Sequence, residues 1–268
     1  MAEPLEPRNP RVVAAAKLHR SAQRRKTGSF LAEGANAVTA ALETGRVREL
    51  FYSASAAQRE HDLVAGAAAS GVRTTVVSER AAQHLGETVT APGLVAVCDL
   101  LDIPLDELLI RAAAPALFAV PVEIAEPGNA GTLIRVADAV GVDGVLLAGD
   151  TVDPHNGKCV RASAGSLFHV PVARERDVTA ALDALSAAGV TLLATTARGE
   201  LDLDDADPVL AGPVAWLFGN EAHGLAPELA ERADHRVRIP IRGRAESLNL
   251  AAAAAICLYA SSRIRHAG

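Results

Sequence analysis

The sequence predicts an α/β protein of two domains, the larger built on a parallel sheet. Short apolar runs alternate with alanine-rich, helix-forming stretches along most of the chain, the pattern of helices covering both faces of a parallel sheet. The 268 residues are 50% hydrophobic, enough for one large core or two modest ones at roughly 100–200 residues per domain. The pattern breaks between Asp99 and Pro115, where Asp99, Asp102, Asp106 and Glu107 crowd together and the stretch closes on Ala-Pro. This places a first domain at 1–100, a linker at 101–114 with a helical turn or more, and a second domain at 115–268.

Residues 11–26 read as one amphipathic helix carrying Arg11, Lys17, Arg20, Arg24, Arg25 and Lys26 with no acidic residue among them. The apolar step Ser29-Phe30-Leu31-Ala32 follows, then Glu33-Gly34 and a helix to about Gly45. Val47–Tyr52 and Val72–Val77 are strands with an alanine-rich helical stretch, 55–69, between them, and Leu94–Cys98 is a third strand. In the second domain, strands at Ala116–Val122 and Gly144–Ala148 flank a helix at 129–140. Val190–Thr196 and Val214–Phe218 are strands beside shorter helical stretches, and a helix from about Ser247 to Arg265 closes the chain.

Charge and motif content exclude several functions. A net charge of -6 sets the whole-molecule field against nucleic acid, so an RNA partner needs local basic patches, which 11–26 and Arg236–Arg244 supply. Cys98, Cys159 and Cys257 lie far apart with no CxxC, against a disulfide framework or a zinc ribbon; no metal is expected, and a reducing cytoplasm fits. The longest apolar runs, such as Leu250–Ala260, fall short of the roughly 18 residues of a membrane span. The opening Met-Ala-Glu-Pro-Leu-Glu-Pro shows no secretory signal. Neither GxGxxG nor GxxxxGK[ST] occurs, against a dinucleotide dehydrogenase or a P-loop enzyme.

Three glycine-and-polar clusters sit at strand ends, where open α/β sheets bind ligands. They are Glu126-Pro127-Gly128-Asn129-Ala130-Gly131-Thr132-Leu133-Ile134-Arg135, then Leu217-Phe218-Gly219-Asn220-Glu221-Ala222-His223-Gly224-Leu225, and Ile239-Pro240-Ile241-Arg242-Gly243-Arg244-Ala245-Glu246-Ser247-Leu248-Asn249. In this order they resemble the three motifs of the SpoU (TrmH) family of RNA ribose 2′-O-methyltransferases of the SPOUT class. Phe30-Leu31-Ala32-Glu33-Gly34 resembles the opening of the L30e-like substrate-binding domain that many members carry. The domain plan is similar to that of the thiostrepton-resistance ribosomal RNA methyltransferases.

The resemblance implies a parallel sheet ending in a trefoil knot, a homodimer, and S-adenosylmethionine held by the second and third motifs. Carried over by matching positions, cofactor contacts fall at Gly219, Ile239 and Leu248, with Leu217, Asn220 and Ile241 beside them. Arg135 takes the position that activates the ribose hydroxyl; a guanidinium is a poor base, so its reading here is stabiliser of the developing alkoxide and clamp on the neighbouring phosphate, with a base role left open. Asn129 opens the helix bearing Arg135, as a helix cap or a site residue. Glu221 orients the site or a partner arginine, and Ser247 and Asn249 stand beside cofactor and ribose, one of them a cap of the final helix. His223 receives no role. Many members have Asp or Asn where this chain has Glu126. Arg161-Ala162-Ser163-Ala164-Gly165-Ser166 resembles a further family segment, read as a helix start near the substrate groove; with Arg24, Arg25 and Lys26, Arg161 is an RNA-phosphate candidate.

The expected activity is S-adenosylmethionine-dependent methylation of a ribose 2′-hydroxyl in structured RNA. Aromatic residues are only 3%, which suits folded RNA read by shape better than stacking on splayed bases. The L30e-like domain favours 23S ribosomal RNA over transfer RNA. The alternatives are a tRNA ribose methyltransferase, a base methyltransferase of the same class, which the first-motif arginine disfavours, and a non-catalytic RNA-binding or ribosome-assembly protein of the same fold.

Overall fold

A computed structural model describes residues 3–88 and 91–266. Through the N-terminal stretch run α1 (Pro10–Ala16), α2 (Ser21–Thr27), β1 (Ser29–Glu33), α3 (Ala35–Glu43), β2 (Val47–Ser53), α4 (Ala54–Arg59), α5 (His61–Ala69), β3 (Arg73–Val77), α6 (Glu79–Leu85) and β4 (Leu94–Asp99). The next elements are β5 (Asp102–Ile103), α7 (Leu105–Arg111), β6 (Leu117–Pro121), α8 (Pro127–Val140), β7 (Gly144–Ala148), α9 (Gly157–Ser163), β8 (Val172–Glu175), α10 (Val178–Ala187), β9 (Thr191–Thr195) and β10 (Leu201–Asp202). The chain closes with α11 (Asp207–Leu210), β11 (Val214–Phe218), α12 (Pro227–Glu231), β12 (His235–Arg238) and α13 (Leu250–Arg265).

The chain forms two compact units: Met1–Leu101 with Asp153–His169, and Asp102–Val152 with Val170–Gly268. Residues 153–169, which lie between β7 and β8 in sequence, thus join the N-terminal unit. Residues 102–111, read above as linker, supply an edge strand and a helix to the second unit; Leu108 on α7 is fully buried against Phe118 and Val120 of β6.

The first unit holds a mixed sheet in the order β1-β4-β2-β3, with β4 antiparallel to both neighbours and β2 parallel to β3. Its core gathers Val12 and Leu18 against Leu31, Phe51, Val77, Leu85 and Val95. The single helix expected over 11–26 is broken: Lys17–His19 form a 3-10 turn and Arg20 is extended at φ -91°, ψ 127°. The break leaves the Leu18 and His19 carbonyls without helical partners, and the Arg24 guanidinium donates to both, at 3.0 and 2.9 Å. The 153–169 segment lies against β1 of the same unit. Phe30 is 4.6 Å from the His155 ring and stacks on Phe168 at 5.7 Å, ring centre to ring centre.

The second unit holds an eight-stranded sheet in the order β10-β12-β9-β11-β6-β7-β8-β5, parallel at every pairing. All residues of β6, β7 and β11 are buried, as the continuous apolar runs required of strands covered on both faces. The chain runs outward from β6 through β7 and β8, crosses back to β9, and β11 fills the gap between β9 and β6. This reversal is the switch point at which such sheets open a crevice beyond the strand C-termini. On one face α13 packs on α8 and β11: the buried Trp216 indole donates to Ser261 Oγ at 2.8 Å, and Ser262 Oγ to the Val140 carbonyl at 2.7 Å. At the C-terminal end of α13 Arg265 reaches Asp143 at 3.0 Å, and Asp143 also accepts from the Leu117 amide at 2.7 Å.

All three cysteines are free and buried, and burial pushes each thiol up, Cys159 to about 12. They are packing residues. No helix among the described residues is long and apolar enough to cross a membrane.

Candidate active site

A cleft of ~660 Å³ opens beyond the C-terminal ends of β9, β11 and β12. Its walls are the loop after β11 and the segment between β12 and α13, and Asn129 of α8 and Thr195–Ala197 at the end of β9 also line it. The three polar motifs, far apart in sequence, therefore meet at one place.

The loop after β11 is held closed by its own backbone. Asn220 and Gly224 exchange amide hydrogen bonds at 2.9 and 2.8 Å, with Gly224 in the left-handed region at φ 70°. Gly219 lies so close to the returning strand of this loop that a Cβ there would collide with the Gly224 carbonyl and the Leu225 nitrogen. Both halves of the Asn220 amide are engaged: Nδ2 donates to the Glu123 carbonyl at 2.7 Å, and Oδ1 accepts from the Ala222 amide at 2.8 Å. Asn220 thus fixes the loop to the segment after β6.

Glu221 projects from that loop toward the start of α8. Its carboxylate accepts from the Ala125 amide at 3.2 Å, the Glu126 amide at 3.1 Å and Asn129 Nδ2 at 3.1 Å. Partial burial acts to raise its pKa, but these donors and its own backbone amide outweigh it and hold the carboxyl below the usual range. Asn129 Oδ1 in turn accepts from Asn249 Nδ2 at 3.1 Å, while Asn249 Oδ1 caps α13 through the amides of Ala251 and Ala252 at 2.9 and 3.3 Å. One hydrogen-bonded chain, Asn249 to Asn129 to Glu221, joins all three motifs. Asn129 is not the cap of α8: Glu126 is, accepting from the Gly128 amide at 3.0 Å. The longer acid at 126 has a local structural use, and Asn129 is left for the site.

The structure brings Asn129, Gly219, Asn220, Glu221, Ile239, Ile241, Ser247, Leu248 and Asn249 to the cleft. Leu217 does not line it; its side chain is in the sheet core, and only its carbonyl, accepting from Thr195 Oγ1 at 2.8 Å, faces the neighbouring strand end. Arg135 is also outside the cleft lining. It lies exposed on α8, with no hydrogen bond or ion pair to any described residue. Ile241 and Leu248 are two-fifths exposed, apolar surface that a ligand would cover. Sequence reasoning missed Thr195–Ala197; the signal was there, a buried apolar strand turning polar at its C-terminal end in a parallel sheet.

Two of the basic candidates are engaged by acids of the protein itself. Arg24 is buried, bonded to Asp153 Oδ2 at 3.0 and 2.6 Å besides the two carbonyls, and its guanidinium has no room for an RNA phosphate. Burial acts to raise the Asp153 pKa, but His155 and Arg24 outweigh it and hold the carboxyl far below the usual range. Arg161 sits near the end of α9, not at a helix start, and reaches Glu33 and Glu87 at 3.3 and 3.2 Å. Arg25 and Lys26 are exposed, as are Lys17 and Arg20, and none of the four is paired with a described residue. Of the second basic region, Arg236 bonds Glu200, Arg238 bonds Asp202, and Arg242 bonds Asp204. The hydrogen bond from Arg238 lowers the Asp202 pKa.

Comparison with known proteins agrees with this architecture. The profile of the SpoU rRNA methylase family matches residues 116–259, and that of the MRM3-like substrate binding domain residues 9–96. A Bacillus subtilis protein, 23S rRNA (guanosine(2553)-2′-O)-methyltransferase RlmP, is 35% identical over 91% of this chain and 92% of its own length. A Streptomyces viridochromogenes protein, 23S rRNA (uridine(2479)-2′-O)-methyltransferase, is 36% identical over 92% of this chain and 86% of its own. Among solved structures, an AdoMet-bound rRNA methyltransferase from Sinorhizobium meliloti superposes with a TM-score of 0.83 at 34% identity, covering 95% of each chain. The SpoU methyltransferase AviRb from S. viridochromogenes, in complex with AdoMet, gives 0.84 at 31% identity over 97% of this chain and 100% of that one. With its three motifs meeting at one cleft and its family profile spanning more than half of its length, the chain belongs to the SpoU rRNA methylase family.

Proposed function

We propose that this protein transfers a methyl group from S-adenosylmethionine to a ribose 2′-hydroxyl in 23S ribosomal RNA. The observation that carries the reading is the chain Asn249 to Asn129 to Glu221, which gathers the polar residues of three distant motifs at the rim of one cleft. Relatives in two bacteria are named as 23S rRNA 2′-O-methyltransferases, and two structures of the same fold hold AdoMet. The residues fit that cofactor: tight backbone at Gly219 admits close approach, and Ile239, Ile241 and Leu248 offer it apolar cover. When bound, the cofactor supplies an electrophilic methyl on a sulfonium.

The chain's own residues do the rest. Glu221, kept ionised, fixes Asn129, and Asn129 and Asn249 are fixed polar groups at the rim that, with Ser247 beside them, orient the ribose. Glu221 already accepts four donors at a lowered pKa, so it orients and does not take the hydroxyl proton. Arg135 stabilises the developing alkoxide as the hydroxyl proton is lost to solvent, and clamps the adjoining phosphate. It stands outside its own chain's cleft lining, exposed on α8, and α8 packs on α13, where Ile256 and Tyr259 are exposed. A homodimer through these helices covers that apolar surface and offers Arg135 the partner's cleft. We read the closing segment 219–250 as the knotted part of the sheet.

RNA is held by Lys17, Arg20, Arg25 and Lys26, exposed cations of the 11–26 stretch that pair with no described residue. The two relatives modify a guanosine and a uridine, so the reading extends to the ribose and not to one base. Mass mapping of 2′-O-methyl groups in 23S and transfer RNA, from cells with and without this protein, tests it. The expected result is one site lost in 23S rRNA; a loss confined to transfer RNA, or none, contradicts it.

A further inference from the structure

Four arginines of the second unit face acids spaced along one segment. Arg236 holds Glu200 by three contacts: Nε to Oε2 at 2.9 Å, Nη2 to Oε1 at 2.8 Å, and its backbone amide to Oε1 at 3.0 Å. Arg238 takes both oxygens of Asp202, Nη2 to Oδ2 at 3.0 Å and Nε to Oδ1, where β10 and β12 pair in register. Arg263 on α13 takes both oxygens of Asp207, at 2.8 and 3.1 Å. Arg242 differs from these three. It touches Asp204 through one contact, Nη2 to Oδ2 at 2.6 Å, and the two side chains are 80% and 59% exposed.

Position sharpens the difference. Arg242 follows the cleft-lining Ile241 and precedes the cleft-lining run Glu246–Asn249, outside any strand or helix. Arg244, on the same loop, is exposed and paired with no described residue. The pairs made from β12 and α13 are thus multidentate, whereas the loop arginine makes a single exposed contact. An exposed pair of this kind contributes little, whereas a guanidinium meets a phosphate with two parallel charge-assisted bonds and Asp204 leaves one side of the fork unused.

We propose that Arg242 is a phosphate-binding residue for the RNA strand at the cleft, held in a set position by Asp204 until a phosphodiester takes the carboxylate's place. This inference rests on the function proposed above and deepens it by naming a substrate contact. Arg236 and Arg238 stay paired and hold the loop's origin; Arg242 exchanges. Asp204 keeps the cation from wandering and also competes with the substrate, so the two partners of one ion pair have opposite effects on RNA affinity.

The test is RNA binding by Arg242→Gln and Asp204→Asn, each in the full chain. The probe is an in-vitro transcript of the source organism's 23S rRNA, titrated across a salt series, with calorimetry against S-adenosylmethionine alongside. Arg242→Gln should weaken RNA binding about tenfold and reduce the salt slope by roughly 0.7–0.9. Asp204→Asn should tighten RNA binding by about two- to fivefold, and cofactor affinity should stay unchanged in both. If the wild type binds RNA and the two variants shift it the same way, or neither shifts it, or both lose the cofactor, the pair is structural and the inference is overturned alone. A wild type that binds no 23S rRNA overturns the proposed function, and this inference with it.

Discussion

Arg24 shows how one side chain changes roles between sequence and structure. In sequence it belongs to a run of cations; in the fold it satisfies two carbonyls freed by a helix break and pairs with Asp153, at 4% and 16% side-chain exposure. Removing one partner of such a buried pair leaves an unpaired charge, so Arg24→Met should cost about 3–5 kcal/mol at neutral pH. The folded pKa of Asp153 is depressed, so its contribution is present above the unfolded value of about 3.9 and is lost as pH falls through the folded one. Denaturant melts of wild type and variant should therefore differ most at neutral pH and converge in acid; a difference independent of pH would refute this account of the pair. Nothing in the spacing of 11–26 could show this burial, because its cause, Asp153, lies far along the chain.

At the scale of elements, the start of α13 has two tasks in one residue. Asn249 caps the helix with its oxygen and fixes Asn129 with its nitrogen. Asn249→Asp keeps the acceptor and loses the donor; Asn249→Ala loses both. The aspartate variant should melt within a few degrees of wild type yet turn over about 10–100-fold more slowly, whereas the alanine variant should also lose about 1 kcal/mol of stability. Equal activity in wild type and Asn249→Asp would remove the relay from the mechanism. The strands and the last helix were legible: apolar runs at Val47–Tyr52, Gly144–Ala148 and Val214–Phe218 match β2, β7 and β11 closely, because buried strands have little freedom in composition. The site was legible through its motif residues, but Leu217 was assigned by its neighbours, and strand alternation turns its side chain into the core. The role of Asn129 depended on which residue caps α8, and a glutamate cap is a weak signal.

For the whole molecule, the return of 153–169 to the first unit matters most. Cys159, Val160, Leu167 and Phe168 are buried in a unit whose other residues precede 102. A fragment of 115–268 carries every methyltransferase motif but strands this segment, so it should aggregate or melt without cooperativity, as size-exclusion chromatography and thermal melts would show; a fragment melting like the full chain would contradict the division. Hydrophobic patterning marks segments as buried but not what buries them, and this crossing was invisible for that reason. The same unit carries the exposed Lys17, Arg20, Arg25 and Lys26. Replacing these four with Gln should lower the salt slope of RNA binding by up to about 0.7–0.9 per lost phosphate contact, leaving cofactor affinity unchanged; an unchanged slope would move the RNA surface elsewhere.

The central claim is methyl transfer to a ribose oxygen, and alkaline hydrolysis reads it directly, since a 2′-O-methyl group blocks cleavage of the adjoining phosphodiester. Purified protein, methyl-labelled S-adenosylmethionine and unmodified 23S rRNA transcript should yield label in an alkali-resistant dinucleotide. Arg135→Ala should yield none while still binding the cofactor. Label recovered in single nucleotides would mean a base had been methylated, and no label from folded protein that binds both partners would mean that the cleft is not a methyltransferase site.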